Sequence, residues 1–236
     1  MIRNLRVLFC SLLMALAAQA VSAQTVVIST PSTDIIPEKK VYVEFDFVGH
    51  IASYQNGGYQ TYIPRVVYGA AKGVEVGLNA SWTKAATPDQ PVELQPNVKW
   101  QFYNNEKSGV AMTGGAMGFF TVANRTGADN FGMFYSNVSK KISGAYGPRI
   151  TAGGYGLAGR ANGLGAKGGA LVAYEQPLHK KVSWVNDWYS GNNRFGYLST
   201  GFSIVPNSKT GIGVTYVFGN QGRGNNGLLT WIGYTF

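Results

Sequence analysis

Hydrophobic and polar residues alternate one by one along most of the chain after residue 40. From Val41 to Phe47 the odd positions carry Val, Val, Phe and Phe, whereas the even positions carry Tyr, Glu and Asp. From Val74 to Trp82 apolar residues again alternate with Glu, Gly, Asn and Ser. Successive side chains of a β-strand point to opposite faces, so this period of two predicts strands with one apolar and one polar face.

Turn-forming residues divide this pattern into about twelve strands, within a range of roughly ten to fourteen. The connections alternate between short turns and longer segments rich in Gly, Asn and other polar residues. An even strand count with this alternation is typical of a transmembrane antiparallel up-and-down β-barrel, which is an all-β fold. The predicted strands cover residues 41–51, 62–70, 73–84, 92–104, 109–123, 131–143, 149–159, 169–179, 182–191, 196–206, 210–219 and 226–236.

A soluble β-sandwich shows the same alternation, and composition separates the two folds. Only 13% of the residues are charged. The polar strand face carries mainly Gly, Ser, Thr and Asn, which is typical of a barrel lumen, so we expect the apolar face to meet lipid. Aromatic residues near strand ends are expected to form interfacial girdles, with ordinary core packing as the alternative. They are Tyr62, Trp82, Tyr103, Phe120, Phe131, Trp188, Phe195, Phe218 and Trp231.

The N-terminus has the form of a secretory signal. Two arginines precede an apolar run from Val7 to Ala20, and small residues lead to a cleavage position after Ala23. A retained membrane anchor is the alternative, but about fourteen apolar residues are too few to span a bilayer as a helix. The domain organisation is therefore a signal over residues 1–23, a periplasmic leader over 24–40 and one barrel over 41–236. The only cysteine, Cys10, lies in the signal, so no disulfide is expected.

The C-terminal strand carries a recognisable pattern. Ile232, Tyr234 and Phe236 alternate, and Phe236 is the last residue. In this the chain resembles bacterial outer-membrane β-barrel proteins of the porin type, whose last strand commonly ends in such an aromatic residue. The chain is also similar to the twelve-stranded transporters grouped with phenol-degradation outer-membrane proteins. The resemblance implies a Gram-negative outer membrane, periplasmic termini, and recognition of the three residues as an assembly signal by the barrel-assembly machinery.

Prolines and glycines within the strands carry two further expectations. Pro64 and Pro96 lie far enough inside strands to predict local bulges, because proline cannot donate to a ladder. Residues 154–159 and 163–168 both match the glycine spacing of a dinucleotide-binding loop, but no helix pattern follows either match. Alternating glycines such as Gly154 and Gly156 are instead expected to face a narrow lumen.

Histidine is too scarce to support an enzyme. His50 lies close in sequence to Ser53, and some outer-membrane barrels are lipid hydrolases with a Ser–His pair. No orienting Asn or Asp with recognisable spacing accompanies this pair, which favours a polar residue at the barrel rim. His179 lies beside two lysines in a short turn and indicates a solvated basic turn. Neither a catalytic site nor a metal site is predicted.

Charged residues on the polar strand faces are the candidate functional residues. Without partners they would be costly to bury, so they require either a wet lumen or a paired network. Charges of both signs across a pore would orient polar solutes, whereas a full set of salt bridges would plug a closed barrel. The candidate lumen charges are Glu44, Asp46, Arg65, Glu75, Lys99 and Asp187, with Glu175 as a further member.

These features predict an outer-membrane channel for passive diffusion of small solutes. Twelve strands give a backbone cylinder roughly 24 Å across and an opening on the order of 10 Å. A closed structural or adhesive barrel that acts through its loops is the main alternative, and a lipid-modifying enzyme is the third. Outer-membrane lipid, the assembly machinery and small solutes are the expected partners, and no cofactor is expected. The net charge of +9 is scattered along the chain, which argues against nucleic acid as a partner.

Overall fold

The computed structural model describes residues 25–87, 90–125, 130–144, 146–159, 165–222 and 226–236. The predicted signal over residues 1–23 lies outside this range. Besides strands, the described chain has one 3-10 turn, Tyr54–Asn56. None of its helical segments has the length and apolar character needed to cross a membrane.

Twelve antiparallel strands form one closed barrel, in which each strand pairs with its sequence neighbours and β1 pairs with β12. Closure pairs every strand edge, which is the form that a sheet needs in lipid. The predicted fold class and strand count are confirmed, and strand ends differ from the predicted ones by at most three residues. The strands are β1 Val41–His50, β2 Tyr59–Ala71, β3 Val74–Ala85, β4 Val92–Asn105, β5 Val110–Ala123, β6 Phe131–Lys141, β7 Arg149–Gly159, β8 Gly168–His179, β9 Val182–Tyr189, β10 Tyr197–Asn207, β11 Thr210–Gly219 and β12 Gly227–Thr235.

Side chains alternate between the outer surface and the interior of the barrel. On β3, Leu78 is exposed on the outside and Asn79 is buried inside; on β11, Val214 and Thr215 divide in the same way. The outer surface is a nearly continuous apolar layer of Val, Leu, Ile and aromatic side chains. An exposed apolar layer around a closed barrel is the surface that lipid stabilises.

Three of the nine expected girdle aromatics face inward, so that prediction is wrong for them. Phe131 and Trp231 are buried in the interior, and Phe195 packs against the same interior cluster as Phe131. Trp231 fits inside because its ring lies over Gly213, where a Cβ atom would be 2.0 Å from the indole. The other expected girdle residues include Tyr103, Phe120, Trp188 and Phe218, which are exposed on the outer surface.

The expected bulges at Pro64 and Pro96 and the expected inward-facing glycines are not found. The strand registers continue unshifted past Pro64 and Pro96, whereas shifts occur beside Pro177 and Pro206 at the short-turn ends of their strands. A strand can leave a ladder position unpaired without inserting a residue, so proline alone does not require a bulge. Gly154 lies on the outer face with Gly156, because the buried neighbour Tyr155 takes the inward position.

The segment before β1 occupies the barrel interior. The sequence predicts a periplasmic leader over residues 24–40, whereas Val27, Thr30 and Ile36 are almost completely buried inside the barrel. The segment joins β1 through Lys39 and Lys40, whose backbone groups bond to Gly69 on β2. Its hydroxyl and backbone groups hydrogen-bond to charged and amide side chains of the inner wall, which stabilises the segment inside the barrel.

The outer surface of the barrel should not tolerate a new charge, whereas an exposed position outside the barrel should. Replacing Val214 with Arg, on the outer face of β11, should lower the free energy of unfolding by ~2–4 kcal/mol, because lipid does not solvate the guanidinium. Urea titration of protein folded into lipid vesicles measures this loss. Ile51 is 84% exposed just beyond β1, so Ile51→Arg is the matched control and should change little. Equal losses for the two variants would contradict a lipid-facing outer surface.

Candidate functional site

The inner wall of β1 and β2 carries one guanidinium between two carboxylates. Glu44 and Arg65 are direct cross-strand partners. Arg65 Nε lies 3.4 Å from Glu44 Oε1, and its Nη2 lies 2.5 Å from Asp46 Oδ2. Tyr42 donates its hydroxyl proton to Glu44 at 2.5 Å. This cluster is buried, and it leaves one formal negative charge on this part of the wall.

A second ion pair on β3 and β4 connects the wall to the N-terminal segment. Glu75 and Lys99 are cross-strand partners, with Lys99 Nζ 3.1 Å from Glu75 Oε1 and only 3% of each side chain exposed. The other Glu75 oxygen accepts the backbone N–H of Ile36 at 2.8 Å. Lys99 also donates to the carbonyl of Thr25 at 2.8 Å. The pair therefore holds both ends of residues 25–36.

The tip of this segment is a tight turn that binds a carboxylate. Val26 and Pro31 pair as an antiparallel bridge, so the chain reverses between them. The successive backbone N–H groups of Ser29 and Thr30 both donate to Asp187 Oδ2, at 2.6 and 2.7 Å. Two adjacent N–H groups form a small anion-binding concavity, so Asp187 is stabilised by the segment itself.

The remaining contacts fix the returning half of the segment. Asn137 on β6 donates to the carbonyl of Pro31, and Gln101 on β4 donates to that of Thr33. The hydroxyls of Thr33 and Ser139 are 2.5 Å apart. Partners on opposite parts of the wall therefore hold residues 25–36 across the lumen, and we call these residues the plug segment.

Apolar side chains add anchors at both ends of the plug segment. Val27 and Ile28 pack in a buried cluster with Trp231 and with aliphatic residues of the β8, β9, β11 and β12 walls. Ile36 packs against Tyr42 and Val67. Just beyond Ile36 the chain passes so close to Gly69 that a Cβ atom there would be 2.1 Å from the carbonyl oxygen of Pro37. Glycine at this position therefore permits the chain to enter the lumen.

A second element closes the lumen from the long-loop end. Residues 190–196 connect β9 to β10 and fold inward, so that Arg194 reaches Glu93 on β4. Four strands, β5 to β8, separate β4 from β9 in the ring. Arg194 donates to both Glu93 oxygens, at 2.7 and 2.9 Å. Its guanidinium also lies 5.2–5.6 Å from the ring centroids of Phe119, Phe131 and Phe195.

A cavity of about 290 Å³ lies between the plug segment and this loop. Ser29 and Pro31 line it on the plug side, and Arg194 and Phe195 line it on the loop side. The barrel wall around it differs in polarity from place to place. It is mostly polar on β2 to β4, where Ile63 is the apolar exception, and mostly apolar on β5, β6, β11 and β12. The sequence predicts a polar lumen, and the structure adds an aromatic interior cluster along β5 to β9.

The six predicted lumen charges all point inward, and five of them form two pairing groups. Glu44 and Asp46 pair with Arg65, and Glu75 pairs with Lys99. Asp187 lies apart and bonds to the plug segment. Sequence reasoning missed Glu93 and Arg194, and also Arg149, which bonds to Glu175 and lies 2.6 Å from Asp34. Strand parity could have found Glu93 and Arg149, whereas nothing local indicates that Arg194 folds inward.

The remaining candidates lie at the barrel ends. Ile232, Tyr234 and Phe236 all lie on the outer surface, and the Phe236 N–H donates to the Val41 carbonyl at the barrel seam. His50 Nδ1 lies 2.6 Å from the Asn226 carbonyl oxygen, and Ser53 begins the exposed 3-10 turn. Within the described ranges, no group of three His, Cys, Asp or Glu side chains could hold a metal ion.

Comparisons with known proteins agree on the architecture. The sequence matches no protein-family model, and it has no match among curated proteins. Among solved structures, the chain is similar to the KdgM porin, with a TM-score of 0.58 and 8% identity over 83% of this chain and 99% of that one. It is also similar to the COG4313 outer membrane channel from Pseudomonas putida F1, with a TM-score of 0.53 and 10% identity over 86% and 97%. For outer membrane phospholipase A from Escherichia coli the TM-score is 0.50, with 8% identity over 86% and 94%.

Identities this low show the fold alone. The chain has the fold of outer-membrane β-barrel proteins, which confirms the resemblance drawn from its last strand and strand layout. Within that class, the similar structures include porins and channels as well as an enzyme. The narrower likeness to transporters grouped with phenol degradation stays a prediction.

The Glu75–Lys99 pair provides a direct test of the lumen electrostatics. Replacing Lys99 with Met should lower the free energy of unfolding by about 3–5 kcal/mol, because Glu75 would stay buried without its cation. The Glu75→Gln/Lys99→Met double variant should recover much of that loss, since no lone charge remains. Urea titration in lipid vesicles measures both. Lys107→Met, in an exposed turn, is the matched control. A double variant that loses as much stability as the Lys99→Met variant, or more, would contradict a coupled pair.

Proposed function

We propose that the protein is an outer-membrane channel for diffusion of small solutes, and that its own plug segment controls the opening. The observation that supports this most strongly is how the lumen is filled. Small closed barrels are filled by the side chains of their own wall. Here the plug segment fills part of the lumen, and a cavity of about 290 Å³ remains beside its tip.

The plug segment has the properties of an element that can leave the lumen. It is joined to the barrel at Lys40 alone, and all twelve strand pairings are made by residues 41–235. Most of its polar contacts run to charged or amide side chains that water can solvate equally well once the lumen is open. Its buried apolar anchors, chiefly Val27, Ile28 and Ile36, oppose release and keep the closed state stable.

An open lumen would carry a transverse field. With the plug segment displaced, Glu44, Asp46 and Glu75 would face the passing solute together with Arg65 and Lys99. Carboxylates outnumber cations by one in this group, which favours cations weakly and orients dipolar solutes. Asp187, released from the backbone of Ser29 and Thr30, would add a further negative charge.

A closed structural or adhesive barrel is the second candidate. The salt bridges and the filled lumen favour it, because a barrel that never opens gains stability from every such contact. The two candidates differ in one consequence. In a closed structural barrel, displacement of the plug segment would play no part in function. A lipid-modifying enzyme has weaker support, because the His50 nitrogen Nδ1 contacts a backbone carbonyl and not Ser53.

Localisation and partners follow from the same proposal. A cleaved signal over residues 1–23 would export the chain, and outer-membrane lipid would cover the apolar surface. β1 begins and β12 ends at the end of the barrel that carries the short turns, which we assign to the periplasm. The alternating residues Ile232, Tyr234 and Phe236 would serve the barrel-assembly machinery as a signal, and no cofactor takes part.

Deleting residues 25–36 should convert a closed barrel into an open one. The remaining wall should leave an opening on the order of 10 Å, so planar-bilayer recordings should show stable conductance steps that the full chain shows only as brief openings. The matched control is a chain in which residues 25–36 are kept and Lys39 is replaced with Ala. A folded, heat-modifiable deletion variant that never conducts would favour the closed structural barrel.

The C-terminal residue Phe236 is expected to promote assembly of the barrel. Phe236 lies on the outer surface, its ring 4.9 Å from that of Tyr234. Deleting Phe236 should reduce the amount of folded protein in outer membranes, because the terminal aromatic would be missing from the strand that closes the barrel. Heat-modifiability of membrane fractions measures the folded amount. Ile142→Ala removes an exposed apolar side chain elsewhere and is the control. Equal yields would show that Phe236 has no role in assembly.

A further inference from the structure

The cavity between the plug segment and Arg194 has an architecture that a simple passage does not require. It lies in the long-loop half of the barrel, with a floor made by the plug segment and a roof made by residues 190–196. A solute that entered past the loop would be held there until the plug segment moved. This inference rests on the proposed channel and names what that channel takes up.

One half of the cavity wall offers uncharged hydrogen-bonding groups. Asn79, Ser81 and Gln95 line it from neighbouring strands β3 and β4, and Thr61 continues the row on β2. Asn79 donates only a long bond of 3.4 Å to Gln95, whose own amide donates to Glu93. Amides and hydroxyls in a row can donate to and accept from a ligand that has hydroxyl groups along one edge.

On either side of these polar strands the wall is largely apolar. Met117 and Met133 face the cavity from β5 and β6, beside the stacked rings of Phe119 and Phe131. Val217 and Leu229 continue this surface on β11 and β12. Methionine adapts its shape and aromatic rings give a large contact area, so this half suits hydrocarbon rather than water.

Both cations that line the cavity already have carboxylate partners. Arg194 is bound by both oxygens of Glu93, and Arg65 is bound by Glu44 and Asp46. An anionic ligand would have to compete with these carboxylates, and a cationic ligand would face the two guanidinium groups. The volume of about 290 Å³ lies at the low end for ligand pockets, which limits the ligand to a single ring or a chain of similar size.

We propose that this cavity binds one small uncharged amphipathic molecule, with its hydroxyl groups against β2 to β4 and its hydrocarbon against the adjoining strands β5 and β6. The two unlike halves recognise the two unlike edges at once. A fully hydroxylated molecule of the same size would leave polar groups unpaired on the apolar half, which is costly. A charged one would meet the competition described above.

Three probes built on the same six-membered ring test the proposal. The protein folded in lipid nanodiscs is titrated with cis-cyclohexane-1,2-diol, with myo-inositol and with cyclohexanecarboxylate, and binding is followed by saturation-transfer NMR. The diol should bind, with saturation strongest at its ring methylene protons, whereas the other two should not. Empty nanodiscs give the signal from partition into lipid. Equal binding of inositol or of the carboxylate would overturn the proposal.

Two nearly isosteric variants locate the site. Asn79→Leu removes the polar edge and Met133→Gln removes part of the apolar one, and each should weaken binding of the diol by roughly tenfold, the effect of one lost interaction. Ser81→Ala is a milder second variant if Asn79→Leu does not fold. Thr151→Val is the control, because Thr151 is buried inside the barrel but does not line the cavity. Binding that none of the cavity variants changes would contradict the site.

The outcomes of this experiment are separate from those for the channel. Binding is measured without flow, so the cavity can fail as a site while the chain deleted of residues 25–36 still conducts. Conversely, diol binding by a protein whose deletion variant never conducts would contradict the channel and keep the cavity as a binding site. The same deletion removes Ser29 and Pro31 from the cavity floor and should weaken diol binding.

Discussion

Buried charge inside a closed barrel is the constraint on which the rest of the structure depends. A carboxylate or ammonium group without a partner costs several kcal/mol away from water. The wall of this barrel carries charges on β1 to β4 and on β9, and cross-strand pairs such as Glu75 with Lys99 satisfy only part of them. Asp187 is held instead by two backbone N–H groups of the plug segment, which both donate to one of its oxygens. The charged wall and the plug segment therefore stabilise each other.

This mutual dependence connects stability to function. The contacts that close the lumen are made by residues 25–36, while the ladders that hold the barrel are made by residues 41–235. In the proposed channel, opening would therefore exchange one set of partners for water without breaking a strand pair. At the opposite end, Arg194 on the loop of residues 190–196 reaches across the lumen to Glu93 on β4. Between the two elements the barrel keeps a cavity whose wall varies in polarity. In the proposed channel, this cavity would select a solute and the plug segment would control its release.

Most of the fold could be predicted from the sequence because strand parity is a local property. Alternation in residues 41–47 and 74–82 indicated the inward positions of Glu44, Asp46 and Glu75, and the eleven connections between strands gave the strand count. Parity fails where both faces are apolar, as in β6, and this is why Phe131 was expected at an interface and lies inside. Long-range placement has no local signature: the plug segment and Arg194 find partners more than 35 residues away, on strands that only the closed barrel brings near. Trp231 likewise depends on Gly213 of the neighbouring strand.

Displacement of the plug segment can be tested most directly by fixing it reversibly to the wall. The hydroxyls of Thr33 and Ser139 are 2.5 Å apart, and the only native cysteine is Cys10, before the described residues. In a Thr33→Cys/Ser139→Cys variant, a disulfide between these positions should abolish openings in planar-bilayer recordings, and a reductant should restore them in the same membrane. The Thr33→Cys single variant should respond to neither treatment. Openings that are the same in the oxidised and reduced double variant would contradict an account in which solutes pass only when residues 25–36 leave the lumen.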